Sequence, residues 1–241
     1  MLTPLLLAAI AGYFLGALPF GYLVARANGV DIFTVGSKSP GATNVRRSVG
    51  RGAGNLVFAL DALKGALAAG WILVAHAVLT RSASGDVAVL SQLGGVSWAV
   101  EISGHTIFTS QHVLPMSVTG LVAALLGHSF SCFTRFKGGK GVATGAGGLM
   151  ALMPIVVLVS AVAWIVVFYT SRYVSLASIV AAALLPISAA LTARPPIYIG
   201  IAVVVMLFVV LRHRANISRL IAGTENRFVK NPKTDVQAPK S

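Results

Sequence analysis

Between residues 136 and 170 the chain reads FKGGKGVATGAGGLMALMPIVVLVSAVAWIVVFYT. Three glycines and two lysines lead directly into an apolar run. From Val142 to Thr170 that run spans 29 residues. As one helix it would be about 44 Å long, against a hydrocarbon core of about 30 Å. Pro154 lies inside it, where it removes a backbone hydrogen bond and favours a break. The run therefore predicts a short helix, Val142 to Leu152, followed by a full one, Ile155 to Thr170. Half-spans are tolerated in a bilayer only where protein or water covers their ends.

Composition agrees with a membrane chain. The 241 residues are 56% hydrophobic and only 10% charged, and the mean hydropathy is +0.84, outside the soluble globular range. Further apolar runs extend from Leu5 to Val24, Leu56 to Leu79, Met116 to Phe133, Leu176 to Ala193 and Ile197 to Leu211. The first lacks a basic leader and is long enough to be retained as a span. The lone Cys132 offers no internal disulfide.

The formal charge of +13 suggests nucleic acid until its distribution is considered. Basic residues gather at Arg26 to Arg51, Arg135 to Lys140, Arg172 and from Arg212 onward; only Arg81 and Arg194 fall in other connections. The positive-inside rule puts these clusters in the cytoplasm. With the run split at Pro154, about seven segments place all four on one face, the N-terminus outside and the C-terminus inside. The expected fold is thus an all-α polytopic membrane protein. It has one membrane-embedded domain, residues 1–225, and an external insertion, 80–115, with room for an interfacial helix over Val87 to Val100. A polar, disordered cytoplasmic tail is expected over 226–241. His105 and His112 in the insertion have no further ligand at metal spacing.

Four polar clusters reach the cytoplasmic face. Gly36-Ser37-Lys38-Ser39-Pro40-Gly41-Ala42-Thr43-Asn44-Val45-Arg46-Arg47 reads as a tight loop of small donors, with arginines able to grip phosphate in bidentate fashion. Lys137-Gly138-Gly139-Lys140-Gly141 opens the short helix, so glycine amides, lysines and the positive helix end converge. It is no P-loop, because Gly141 follows Lys140 where that motif needs Ser or Thr. Ser171 to Ser175 joins two spans. His213, Asn216 and Leu220 share a face as the last helix emerges, and Gly223 reads as its stop. Asp61 and Lys64, at i, i+3 within a span, read as a structural ion pair able to brace the first loop. Each cluster alone also fits a solvated basic loop; the common face is the signal.

Several chemistries are missing from the pattern. Six carboxylates, none paired at metal-binding spacing, disfavour magnesium-dependent phosphotransfer. Neither His-x-x-x-x-Asp nor the Gly-x-Ser-x-Gly elbow occurs. Many phosphate grips and few bases fit a reaction that needs recognition more than proton transfer. The alternative is a transporter of a phosphorylated anion, but transporters bind near the midplane between repeats. Here the polar residues lie at one face, and no repeat is evident. A purely structural scaffold leaves the lysine–glycine loop without a purpose.

Five ordered blocks carry a family resemblance: residues 36–45 with Arg47; Asp61, Lys64 and Gly65; Gly127-His128 with Phe136 to Thr144; Ser171 to Leu176; and His213 to Leu220 with Gly223 to Asn226. Together they resemble the bacterial acyl-phosphate:glycerol-3-phosphate acyltransferases, the PlsY family. Ser39 and Phe33 stand where the family more often has asparagine and arginine, and Ser131 replaces a frequent proline. The resemblance implies transfer of a fatty acyl group from acyl-phosphate to the 1-hydroxyl of glycerol-3-phosphate. The products are 1-acyl-glycerol-3-phosphate and phosphate, in the first acylation of phospholipid synthesis. It implies no cofactor, metal or nucleic acid, a functional link to the enzyme that makes acyl-phosphate, and an active site on the cytoplasmic side of the bacterial inner membrane. By motif, Ser37, Arg47, Lys137, His213 and Asn216 would be catalytic. Thr43, Asn44, Gly138, Gly139, Lys140, Gly141 and Ser175 would bind substrate, with Asp61, Lys64 and Glu225 structural.

Overall fold

The computed structural model describes the backbone of residues 2–82, 91–92, 95–96, 99–102 and 105–228, and the side chains of 2–75 and 111–228. It forms two compact units, residues 1–157 and a second from Leu158.

Small residues build the first unit. Helix α1 (Leu2–Ala17) buries Ala8, Gly12 and Gly16 in a stripe at every fourth position. The stripe meets α5 (Val113–Ser129) so closely that a Cβ on Gly12 would overlap the Gly120 backbone, and one on Gly16 the Ala124 backbone. The same device joins α4 (Arg51–Ser82) to α6 (Val142–Leu152). There Gly65 abuts the Thr144 carbonyl and Gly147 the Ala62 carbonyl. In lipid, where apolar surface provides little drive for helix association, such close backbone contact holds helices together. At the polar end of the α1–α5 pair, Ser131 Oγ donates to the Ala17 carbonyl at 2.6 Å and Tyr13 Oη to the Phe130 carbonyl at 2.9 Å. The serine that departs from the family pattern is thus a tie between α1 and the end of α5.

Met153 leaves the helical region and α7 begins at Pro154 (Pro154–Ser171), so the apolar run breaks at the expected place. Proline has no N–H to lose at a helix start. In the second unit Trp164 Nε1 of α7 donates to Ser178 Oγ of α8 (Val174–Leu191) at 3.1 Å. Helix α9 (Pro196–Arg212) bends by 60° into α10 (Arg214–Ile221).

Among the described residues, five stretches are long and apolar enough to cross a membrane: Leu2–Ala27, Arg51–Ala75, Val113–Thr134, Pro154–Ser171 and Val174–Leu191. The α9–α10 pair makes a sixth if taken as one span, and Val142–Leu152 is apolar but short.

The first apolar run remains one such stretch, although Pro19 ends α1 before α2 (Phe20–Ala27). Three expectations are revised. The first loop contains a helix, α3 (Ala42–Ser48), fastened by a core of Ala25, Ile32, Val45 and Val57. The interfacial helix over Val87 to Val100 is replaced, where described, by strands. β1 (Ser91–Gln92) pairs with β2 (Gly95–Val96), and β3 (Ala99–Ile102) pairs antiparallel with β4 (His105–Thr109). Val, Ile and Thr separated by glycine favour strands over a helix; residues 87–90 lie outside the described residues. Finally, the tail expected to be free from Asn226 is held as far as Phe228. Its N–H donates to the Arg172 carbonyl at 2.8 Å, and its ring meets Phe168 edge-on at 5.6 Å; residues 229–241 lie outside the described residues.

Gly16→Leu places a branched side chain against the Ala124 backbone. It should cost about 1–3 kcal/mol and lower the thermal midpoint of the detergent-solubilised protein. An unchanged midpoint would contradict the close α1–α5 packing.

Candidate active site

The first loop is organised by one amide. Asn44, 3% exposed on α3, accepts the Ser37 N–H at 3.0 Å through Oδ1. Its Nδ2 donates to the carbonyls of Val35 at 3.1 Å and Ser39 at 3.0 Å. The chain turns here through left-handed Gly36 and Lys38, at φ of 55° and 54°. A Cβ at Gly36 would overlap Asn44 Oδ1, so the glycine is required by its own organiser. Ser37 and Arg47 are exposed, and Thr43 lies in the first turn of α3.

The glycine loop is built from the end of α5. Arg135 and Phe136 both adopt left-handed conformations, φ 53° and 59°, which non-glycine residues seldom take. Their turn is closed by Phe136 N–H to the Ser131 carbonyl at 2.9 Å and Lys137 N–H to the Thr134 carbonyl at 3.1 Å. Thr134 Oγ1 donates back to the Lys137 carbonyl at 2.7 Å. Beyond it, Gly139 N–H donates to the His128 carbonyl at 3.1 Å and Ser129 Oγ to the Gly139 carbonyl at 3.1 Å. Gly141, left-handed at φ 78°, occupies the N-cap of α6. The loop thus delivers two lysines and a run of glycine backbone to the positive end of a helix.

Beneath it lies the buried pair read from the sequence. Lys64 Nζ is 2.8 Å from Asp61 Oδ1, with both side chains at most 4% exposed. It reaches the Leu18 carbonyl at 2.9 Å, so it ties α4 to the α1–α2 turn; the link to the first loop is indirect. Pro40 of that loop nevertheless lines the same small cavity as Asp61, Lys64, Lys137, Gly138 and Gly139. The two polar loops of the first unit therefore share a wall.

The second unit holds a carboxylate clasp. Glu225 Oε1 accepts from Ser175 Oγ at 2.8 Å and Asn216 Nδ2 at 2.7 Å, and Oε2 accepts from Arg219 Nε at 2.7 Å. Burial pushes this carboxyl upward, but three donors and the guanidinium charge outweigh it and hold the group below the ordinary carboxylate range. His213 sits at the α9–α10 joint with Nδ1 2.8 Å from the Val209 carbonyl. A carbonyl only accepts, so Nδ1 carries the proton that faces it.

Ser37, Thr43, Asn44, Arg47, Asp61, Lys64 and Lys137 to Gly141 therefore belong to the first unit, and Ser175, His213, Asn216 and Glu225 to the second. Two participants were given no role by sequence reasoning. Arg219 completes the clasp, and the ring of His128 stands between Asp61 and the glycine loop. Neither is marked by spacing; only the Gly127-His128 pair, close ahead of the loop, hinted at the second.

The sequence model of the family described as glycerol-3-phosphate acyltransferase matches residues 6–223. A glycerol-3-phosphate acyltransferase of Geobacter sulfurreducens is 38% identical over 95% of this chain and 99% of its own. One of Aquifex aeolicus is 37% identical over 92% and 98%. Among solved structures, PlsY (YgiH), an integral membrane glycerol 3-phosphate acyltransferase, in its glycerol 3-phosphate form superposes with a TM-score of 0.72. It shares 35% identity and covers 93% of this chain and 96% of that one. The lysophosphatidic acid form gives 0.71 at 34% identity, covering 93% and 95%. With likeness running through nearly every helix and both polar loops, this multi-pass membrane chain belongs to the glycerol-3-phosphate acyltransferase family.

Proposed function

We propose that the chain transfers a fatty acyl group from acyl-phosphate to the 1-hydroxyl of glycerol-3-phosphate, leaving 1-acyl-glycerol-3-phosphate in the membrane. The observation that carries this reading is the glycine loop at the start of α6, walled by the Ser37–Arg47 loop. Glycine amides, two lysines and a helix N-terminus suit a phosphate dianion. The solved relatives in glycerol 3-phosphate and lysophosphatidic acid forms support the acceptor and product.

Acyl-phosphate is a mixed anhydride, so its leaving group needs little help. The 1-hydroxyl oxygen attacks the acyl carbonyl carbon, the carbon–oxygen bond to phosphate breaks, and phosphate departs with the bonding pair. The hydroxyl proton passes to phosphate. Positioning and charge stabilisation then dominate. We assign the donor phosphate to Lys137, Gly138, Gly139, Lys140 and Gly141. Ser37 and Arg47 take the acceptor phosphate, with Thr43 in the adjoining turn. Asn44, whose amide is engaged by the loop backbone, acts by shaping that loop. Ser175 and Asn216 are held by Glu225 in the second unit. Arg47, Lys137 and the α6 N-terminus supply the countercharge, so no metal is required. The basic clusters support a site on the cytoplasmic side of the bacterial inner membrane, with a separate enzyme as the source of the reactive donor.

Purified protein given palmitoyl phosphate and glycerol-3-phosphate, with chelator present, should release phosphate only when both are supplied. Transport of phosphorylated anions without release would overturn the assignment. Arg47→Lys loses a bidentate fork and should raise the KM for glycerol-3-phosphate; unchanged kinetics would remove Arg47 from the site. His213→Ala should keep measurable turnover, with a loss below about 10²-fold, the lower bound for a general base. A larger loss with normal substrate binding would make it one.

Glu225→Gln should lower the thermal midpoint at neutral pH. Because the folded carboxyl is depressed, its contribution is complete above the ordinary carboxylate range and disappears as pH falls through the lowered value. The gap between wild type and variant should therefore close in acid. A gap independent of pH would show that the charge plays no part.

A further inference from the structure

The proposed chemistry leaves a buried charged cluster unused. Asp61 and Lys64 are enclosed in an apolar helix, and such groups are retained only with a partner or a task. Lys64 is occupied by Asp61 and the Leu18 carbonyl. The Asp61 Oδ1 also faces His128 Nδ1 at 3.6 Å, and the His128 side chain is 9% exposed.

The opposite edge of that ring meets the glycine loop. A Cβ on Gly139 would overlap His128 Nε2, and one on Gly138 would overlap the His128 carbonyl. The same carbonyl accepts the Gly139 N–H at 3.1 Å. His128 therefore touches the loop through both backbone and ring, while Asp61 Oδ1 stands 3.6 Å from the ring's other nitrogen.

We propose that His128 is a positioning residue for the acyl donor. Lys64 orients Asp61, Asp61 orients the imidazole, and the imidazole edge sets the Gly139 backbone and hence the spacing of Lys137 and Lys140. This explains why position 139 is glycine, because the ring occupies the space of a side chain. The inference rests on assigning the loop to acyl-phosphate. A metal role is disfavoured, since two ligands beside the Lys64 ammonium make a poor cation site, and among the described residues no group of three or more ligand types gathers.

The test uses the full chain in detergent, with palmitoyl phosphate and glycerol-3-phosphate varied separately. His128→Ala should raise the donor KM about tenfold or more while the acceptor KM stays within about twofold. Gly139→Ala should impair turnover by forcing a methyl group into the ring. The double variant Gly139→Ala/His128→Ala should recover about tenfold over Gly139→Ala alone, a non-additivity expected only of residues in contact. If His128→Ala does not fold, His128→Asn keeps a donor for Asp61 but lacks the far ring edge. It should melt like wild type, still raise the donor KM and still rescue Gly139→Ala. Equal changes in both KM values, or additive losses in the double variant, would overturn the inference while wild-type turnover stands. Absence of wild-type turnover would overturn the loop assignment, and this inference with it.

Discussion

An ammonium and a carboxylate 2.8 Å apart inside an apolar helix are the constraint around which the polar end of the first unit is arranged. Neither charge is tolerated there without compensation, because low dielectric makes an unpaired ion far costlier than a paired one. Lys64 pairs with Asp61 and donates to the Leu18 carbonyl where Pro19 ends α1. Asp61 in turn faces the histidine whose carbonyl anchors the glycine loop. A break in one helix, an ion pair in a second and a loop after a third thus depend on one another.

That dependence suits the chemistry proposed for the site. A loop rich in glycine is a poor scaffold by itself, since each glycine carries more backbone freedom to be lost on folding. Here the loop is clamped by Ser129, Thr134 and the His128 carbonyl, so its backbone is ordered before a ligand arrives. Preorganised donors contribute most where the reaction needs little proton transfer and much charge stabilisation. A mixed anhydride with a phosphate leaving group is such a case. The Glu225 clasp serves the same end in the second unit, where one carboxylate holds Ser175, Asn216 and Arg219.

The membrane architecture follows from covalent facts local in the chain: an over-long apolar run, a proline within it, and basic residues confined to a few connections. The break at Met153 and Pro154 was legible because proline acts on its own helix whatever lies around it. The polar blocks at Ser37, Lys137 and His213 stood out in the sequence because glycine, lysine, arginine and histidine are conspicuous between apolar runs. The helix within the first loop and the strands between α4 and α5 were not, since short segments take their conformation from packing more than from propensity.

Residue types, periodicity and charge placement by themselves determined a membrane protein of apolar helices joined by basic, glycine-rich loops, because bilayer thickness and backbone hydrogen bonding leave few other solutions. Only tertiary structure decided that Asn44 shapes its loop, that Arg219 closes on Glu225, and that the His128 ring fills the space beside Gly139. Those contacts join residues whose separation along the chain carries no period, and a side chain's partner is set by where the helices bring it.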